Sequence, residues 1–275
     1  PLRWSRVPAS TPATPQGRSD HTAVWDTGRS RLVIYGGSNG QYFLNDTWAA
    51  TITDSVAWEV LVDYARPYDR VSPASLYDTR RERMVLFGGA SYEDWQVEHD
   101  VWTLDLTAPG VDWEYVDIPD PLPDRRSGMA FGYDEAGDRL VVFGGMSMTL
   151  YGNSQIPVYQ GGDAWALDLA TMRWSPVRPT AGSPMGRTLC ASAFDPVAQG
   201  LVVFGGDFGT DDRPQYLNDT WTLALGAVAL PGERHDGPVA LRDPPRPRRG
   251  PHSLQARWDS RQGRVRLEGL GPGDS

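Results

Sequence analysis

Four arginines are the first residues in this chain with the means to do chemistry. Arg18, Arg70, Arg126 and Arg187 each stand eight residues before an aspartate: Asp26, Asp78, Asp134 and Asp195. A guanidinium is a planar fork of donors suited to a carboxylate or phosphate. Gathered at one point, four of them would hold an acidic ligand. Spread out, each would serve its own surroundings, and a group repeated at a fixed interval is expected to be structural. Other reactive groups are sparse: four histidines, His21, His99, His235 and His252, and one cysteine, Cys190. One thiol allows neither an internal disulfide nor a multi-thiolate metal site. His21, three residues after Arg18, joins the arginines as a candidate. The loop from Asp207 to Asp212 places oxygen ligands close together but not at a known calcium-loop spacing, and reads as a solvated acidic tip. No Gly-rich phosphate loop, nucleophile elbow or metal-ligand helix motif is present. The sequence therefore implies no metal and no cofactor.

Composition narrows the options. The chain has 275 residues with 30 Gly and 23 Pro, a load that disfavours long helices. Its 11 Trp and 11 Tyr argue against disorder. No apolar run approaches the ~20 residues needed to cross a bilayer as a helix. The net charge is −9, and all 26 basic residues are arginine, which points to a GC-rich, bacterial genome. Residues 226–275 hold 9 Arg against 6 acidic residues, leaving −12 on the rest. So acidic a chain makes a poor nucleic-acid binder. The basic run Arg246 to Arg249 lies among prolines and reads as a solvated linker. The start at Pro1 reads as a processed product or a fragment, and secretion is slightly favoured over the cytoplasm.

The chain repeats itself. Gly-Gly pairs fall at Gly36-Gly37, Gly88-Gly89, Gly144-Gly145 and Gly205-Gly206, each closing an apolar run such as Leu32-Val33-Ile34-Tyr35. Ten residues before each first glycine stands the aspartate, behind an aromatic: Trp25, Tyr77, Tyr133 or Phe194. After each pair comes Asp-x-Trp: Asp46 and Trp48, Asp100 and Trp102, Asp163 and Trp165, Asp219 and Trp221. A second tryptophan follows in three units: Trp58, Trp113 and Trp174.

Short runs rich in Val, Ile, Leu and aromatics between turns predict strands. In the first unit they fall near 20–25, 31–36, 47–52 and 57–62. The run before Gly-Gly is apolar on both faces, so its sheet must lie between neighbours. Four-stranded sheets repeated at about 50 residues and stacked face to face make a β-propeller. The predicted fold is all-β, four full antiparallel blades at 18–62, 70–117, 126–178 and 187–242, with an incomplete fifth at 249–270. Blade four lacks a second tryptophan, and Val239-Ala240-Leu241 is the candidate outer strand. Trp4-Ser5-Arg6-Val7 resembles the outer strand of a closing or preceding blade. We expect one domain over 1–275, as a closed or a partial ring.

The order Arg, aromatic-Asp, apolar run with Gly-Gly, Asp-x-Trp, second Trp resembles the Kelch repeat across residues 1 to about 270. The resemblance implies blades whose first strand is innermost and a role in binding. Galactose oxidase, a copper enzyme, has a related propeller whose chemistry needs a cysteine cross-linked to tyrosine and histidine ligands. Cys190, between apolar neighbours on an innermost strand, reads instead as a small buried residue.

The aspartate-to-glycine step is constant, whereas the glycine-to-Asp-x-Trp step is 10, 12, 19 and 14. Variable length in one loop marks adaptable surface on a fixed scaffold. Those loops carry Tyr42 and Phe43, Tyr92 and Trp95, Tyr151 and Tyr159, and Phe208 and Tyr216. Such aromatics can anchor a peptide or stack on a sugar. Arg18, Arg70, Arg126, Arg187 and His21 are the candidates at the channel mouth. The expected function is a non-enzymatic binding module for a protein or glycan. The alternatives are a carbohydrate-active enzyme (an oxidase, epimerase or mutarotase) with its site at the channel, or a degenerate array without an intact site.

Overall fold

The computed structural model describes residues 2–63, 66–91, 96–108, 110–151, 154–159, 162–179, 182–208, 215–225, 254–259 and 264–269. These contain strands and turns and no helix, hence no helix long and apolar enough to cross a membrane. The chain divides into two compact units, Pro1–Val228 and Ala229–Ser275.

In the first unit, β1 (Thr22–Asp26), β2 (Arg31–Tyr35), β3 (Thr47–Ile52) and β4 (Val56–Val62) form one antiparallel sheet in chain order. A second sheet holds β5 (Ala74–Asp78), β6 (Arg83–Phe87), β7 (Val101–Asp105) and β8 (Trp113–Val116). The third holds β9 (Ala130–Asp134), β10 (Arg139–Phe143), β13 (Ala164–Asp168) and β14 (Arg173–Val177). Between β10 and β13 a two-stranded ribbon, β11 (Met146–Tyr151) and β12 (Ser154–Tyr159), takes up the longest loop. The fourth sheet has three strands among the described residues: β15 (Ala191–Asp195), β16 (Gly200–Phe204) and β17 (Thr220–Ala224). The first strands β1, β5, β9 and β15 neighbour one another in that order, as the innermost strands of successive blades. In the second unit, β18 (Leu254–Asp259) pairs with β19 (Arg264–Gly269), Asp259 facing Arg264 as Asp26 faces Arg31. The predicted fourth strand at Val239-Ala240-Leu241 lies outside the described residues. Trp4 is fully exposed, residues 4–7 carry no strand, and the segment just after them runs parallel to β4 through Ser10 N–H on the Val56 carbonyl.

Packing explains why the second strands are apolar on both faces. Tyr35 and Phe87, at the ends of β2 and β6, are fully buried. The next blade's second tryptophan covers each of them: Trp113 lies 5.2 Å from Tyr35 edge-on, and Trp174 lies 4.6 Å from Phe87. Trp113 also donates its indole N–H to Thr47 Oγ1 of the preceding blade at 2.9 Å. Two of the Asp-x-Trp tryptophans make ring contacts within their own blade, Trp48 with Trp58 and Trp102 with Tyr115. Phe204 repeats the Tyr35 position in the fourth blade and is 51% exposed, and Trp221 is exposed too.

Each aspartate that opens a hairpin turn is satisfied locally. Asp78 accepts backbone N–H bonds from Arg80 and Arg81 and the Arg83 side chain at 3.0 Å; Asp134 accepts Gly137 N–H and Arg139 likewise. The turns tie neighbouring blades together: Arg29 reaches Glu82, and Arg81 lies between Asp78 and Asp138, 2.8 Å from the latter.

Candidate functional site

The repeated arginines lie just ahead of the innermost strands, at the glycine-pair end of each blade. All four side chains are buried. Arg70 shows the pattern. It donates Nη1–H to Asp100 Oδ1 at 2.7 Å and to the Gly88 carbonyl at 3.1 Å. Nη2–H reaches Asp100 Oδ2 at 3.2 Å and Nε–H the Tyr68 carbonyl at 3.3 Å. Arg18 pairs the same way with Asp46, Arg126 with Asp163 and Arg187 with Asp219. Each of these carboxylates also accepts the indole N–H of the tryptophan two residues on. The arginines thus face an acid of their own blade, one strand-pair away, rather than an acid of the neighbouring blade. The Asp-x-Trp motif exists to close this Arg–Asp–Trp chain, a role that spacing alone does not reveal.

The arginine backbone does a second job. Gly37 N–H donates to the Arg70 carbonyl at 3.0 Å, Gly89 N–H to Arg126 at 3.0 Å and Gly145 N–H to Arg187 at 2.8 Å. A side chain on Gly36, Gly88 or Gly144 would stand 2.6–2.7 Å from those same carbonyls. The glycine pair is therefore the seam where one blade's strand end meets the next blade's arginine.

The carboxylates report the pairing. The Arg187 hydrogen bonds pull the Asp219 pKa down to about 2. Burial alone would raise Asp46, but hydrogen bonds from Arg18 and Trp48 outweigh it and the net shift is downward. Hydrogen bonds from Arg81 lower Asp138. A carboxyl depressed in the folded state stabilises the fold fully above its unfolded pKa, roughly 3.9, and loses that contribution as pH falls through the folded value. Urea unfolding followed against pH should show stability falling between about pH 4 and pH 2, and Asp219→Asn should flatten part of that fall.

The candidate surface residues divide. Tyr42 is 46% exposed in the first blade's loop, its hydroxyl 3.3 Å from Gln16 Oε1, and Phe43 beside it is half-buried. Tyr216 is 80% exposed in the fourth blade's loop, and Phe208 is half-buried. Tyr151 and Tyr159 fall at the tip and base of the β11–β12 ribbon, Tyr159 opposite Met146. Tyr92 and Trp95 lie outside the described residues. His21 is largely exposed beside Arg18, and partial desolvation of its ring together with the Arg18 charge lowers its pKa. Cys190 is half-buried, and burial raises its thiol pKa. Among the described residues no group of three or more His, Cys, Asp or Glu could hold a metal ion.

Two further residues on this face carry no loop-length signal. Tyr68 is 49% exposed with the Arg66 guanidinium 5.1 Å from its ring centre, and Met185 is also exposed. Each stands two residues before a repeated arginine that bonds its carbonyl. Counting back from the arginines would have found them.

Four-stranded antiparallel sheets with first strands innermost, welded blade to blade at glycine pairs, define a β-propeller. The model of the KLHDC2/KLHL20/DRC7 Kelch-repeats domain matches residues 1–206 and 81–260, and the chain belongs to the Kelch-repeat β-propeller family. It is 27% identical over 82% of its length to the dynein alpha chain of the flagellar outer arm from Chlamydomonas reinhardtii, of which it covers 5%. It is 26% identical over 90% of its length to the host cell factor homolog hcf-1 of Caenorhabditis elegans, of which it covers 31%. A leucine-zipper-like transcriptional regulator 1 homolog of Drosophila melanogaster is 26% identical over 78% of this chain and 20% of that protein. The chain thus spans less than a third of each of these relatives. The solved structure of YjhT shares the fold, with a TM-score of 0.58 at 15% identity over 77% of this chain and 68% of that one.

Proposed function

We propose that this propeller is a protein-binding module that engages its partner with the glycine-pair end of the blades. The observation that carries the reading is the set of exposed tyrosines there: Tyr42, Tyr68 and Tyr216, on segments from the first, second and fourth blades. Tyrosine supplies large contact area with few rotatable bonds and a polar tip, which suits anchor residues. Three rings spread over three blades match the footprint of a folded or extended polypeptide better than that of one sugar ring. The family supports a binding role, and two of the relatives are named as a host cell factor homolog and a transcriptional regulator homolog, names that specify no reaction. Because the arginines of the channel mouth are committed to Asp46, Asp100, Asp163 and Asp219, they are scaffold for this surface, not ligands in it.

Tyr42→Ala and Tyr216→Ala should each weaken a bound peptide by roughly tenfold while shifting unfolding free energy by no more than about 0.5 kcal/mol. Fluorescence anisotropy and urea melts on the same preparations check both. Full affinity in the double variant would remove these rings from the site.

A further inference from the structure

Eight described residues other than glycine have positive φ. Four of them, Ser30, Glu82, Asp138 and Gln199, end the four hairpin turns between first and second strands, and Met172 ends the β13–β14 turn. Left-handed backbone is routine at such turns. The remaining three sit elsewhere. Asp20 (φ 56°), Ser72 (φ 51°) and Leu189 (φ 53°) each stand two residues after a repeated arginine, and Gly128 (φ 62°) is the fourth of the set. Their backbones form a collar across the blades. Ser72 N–H donates to the Asp20 carbonyl at 2.8 Å, Gly128 N–H to Ser72 at 2.9 Å and Leu189 N–H to Gly128 at 2.8 Å.

The collar explains the backbone geometry but not the side chains. Gly128 shows that glycine fits, and glycine alone takes this conformation without cost. Leucine there is an outlier. It also gains little from packing among the described residues, where Leu189 is 67% exposed. A strained residue with an exposed apolar side chain is a sign of use rather than of folding. Asp20, at the other end of the collar, is exposed and oriented by Ser19 Oγ–H at 2.8 Å on Oδ2, and no basic side chain ion-pairs with it among the described residues.

We infer that the collar is the selectivity element of the binding face, with Leu189 receiving an apolar side chain and Asp20, at the far end of the collar, an arginine or lysine several residues away in the same extended peptide segment. The charge of the whole supports a basic partner, since residues 1–225 carry −12. This rests on the protein-binding reading above and adds to it which chemistry is chosen and where.

The test is to pan a random linear phage-displayed peptide library on the chain and measure selected synthetic peptides by anisotropy against Leu189→Gly, Asp20→Gly and Tyr216→Ala. The expected pool is enriched in an apolar residue with Arg or Lys several positions away, not next to it. Leu189→Gly and Asp20→Gly should each weaken binding roughly tenfold. Their thermal midpoints should hold or rise, because glycine relieves the backbone. A clear fall in midpoint for Leu189→Gly would make its side chain structural and overturn the inference. Peptides that lose affinity on Tyr216→Ala but bind both glycine variants normally would keep the face and reject the collar. A library that yields no binder, or binders indifferent to all three substitutions, would reject both.

Discussion

Arg70→Met should lower the unfolding free energy by about 3 kcal/mol, read from urea or guanidinium denaturation. The substitution keeps an aliphatic stem in the same space and removes only the guanidinium. Asp100 then loses its two-pronged partner in a nearly buried setting, and the Gly88 and Tyr68 carbonyls lose a donor each. Leaving a buried charge and acceptors unpaired costs more than the intact ion pair contributes. Arg70→Lys should recover little, because one ammonium cannot span four acceptor atoms placed for a planar fork. A loss below about 1 kcal/mol would mean that water screens the pair as it does on open surfaces. If Arg70 is scaffold only, as proposed above, peptide affinity for the face should fall in proportion to folded fraction, since Asp100 and the Gly88 and Tyr68 carbonyls already take up its donors.

Gly88→Ala should be at least as damaging, at about 4 kcal/mol. Its φ of +65° is left-handed, which penalises any side chain. Its added Cβ would also lie 2.6 Å from the Arg126 carbonyl, a backbone atom with no rotamer by which to withdraw. Moving that carbonyl breaks the bond from Gly89 N–H and opens the seam between the second and third blades. Gly40→Ala is the control. It has φ +90° but nothing within 4 Å of the new carbon, so only the backbone penalty of about 1–2 kcal/mol applies. Equal losses in the two variants would show that conformation, not the seam, sets the glycine requirement.

Much of the scaffold is legible in the sequence, because its determinants are local and repeated. The second-strand run Arg31–Tyr35, predicted at 31–36, is apolar on both faces for a reason the structure displays: Trp113 of the next blade covers Tyr35. The partner of each arginine was not readable. Arg70 and Asp100 are 30 residues apart, and only the return of the third strand beside the second brings them together. Spacing marked both as repeated but not as a pair. The ribbon Met146–Tyr159 was visible only as a long step, since its alternation is interrupted by Gly152 and Asn153. The collar was hidden for a different reason. Asp20, Ser72, Gly128 and Leu189 share a backbone shape and no chemistry, so a search for repeated residue types passes over them.

Each seam is completed by an arginine that lies well downstream: Gly37 awaits Arg70, Gly89 awaits Arg126 and Gly145 awaits Arg187. During synthesis a blade therefore leaves the ribosome with its glycine edge unsealed until the chain has grown by most of another blade. The joints can therefore close only in the order of translation, each after the arginine that completes it has itself emerged.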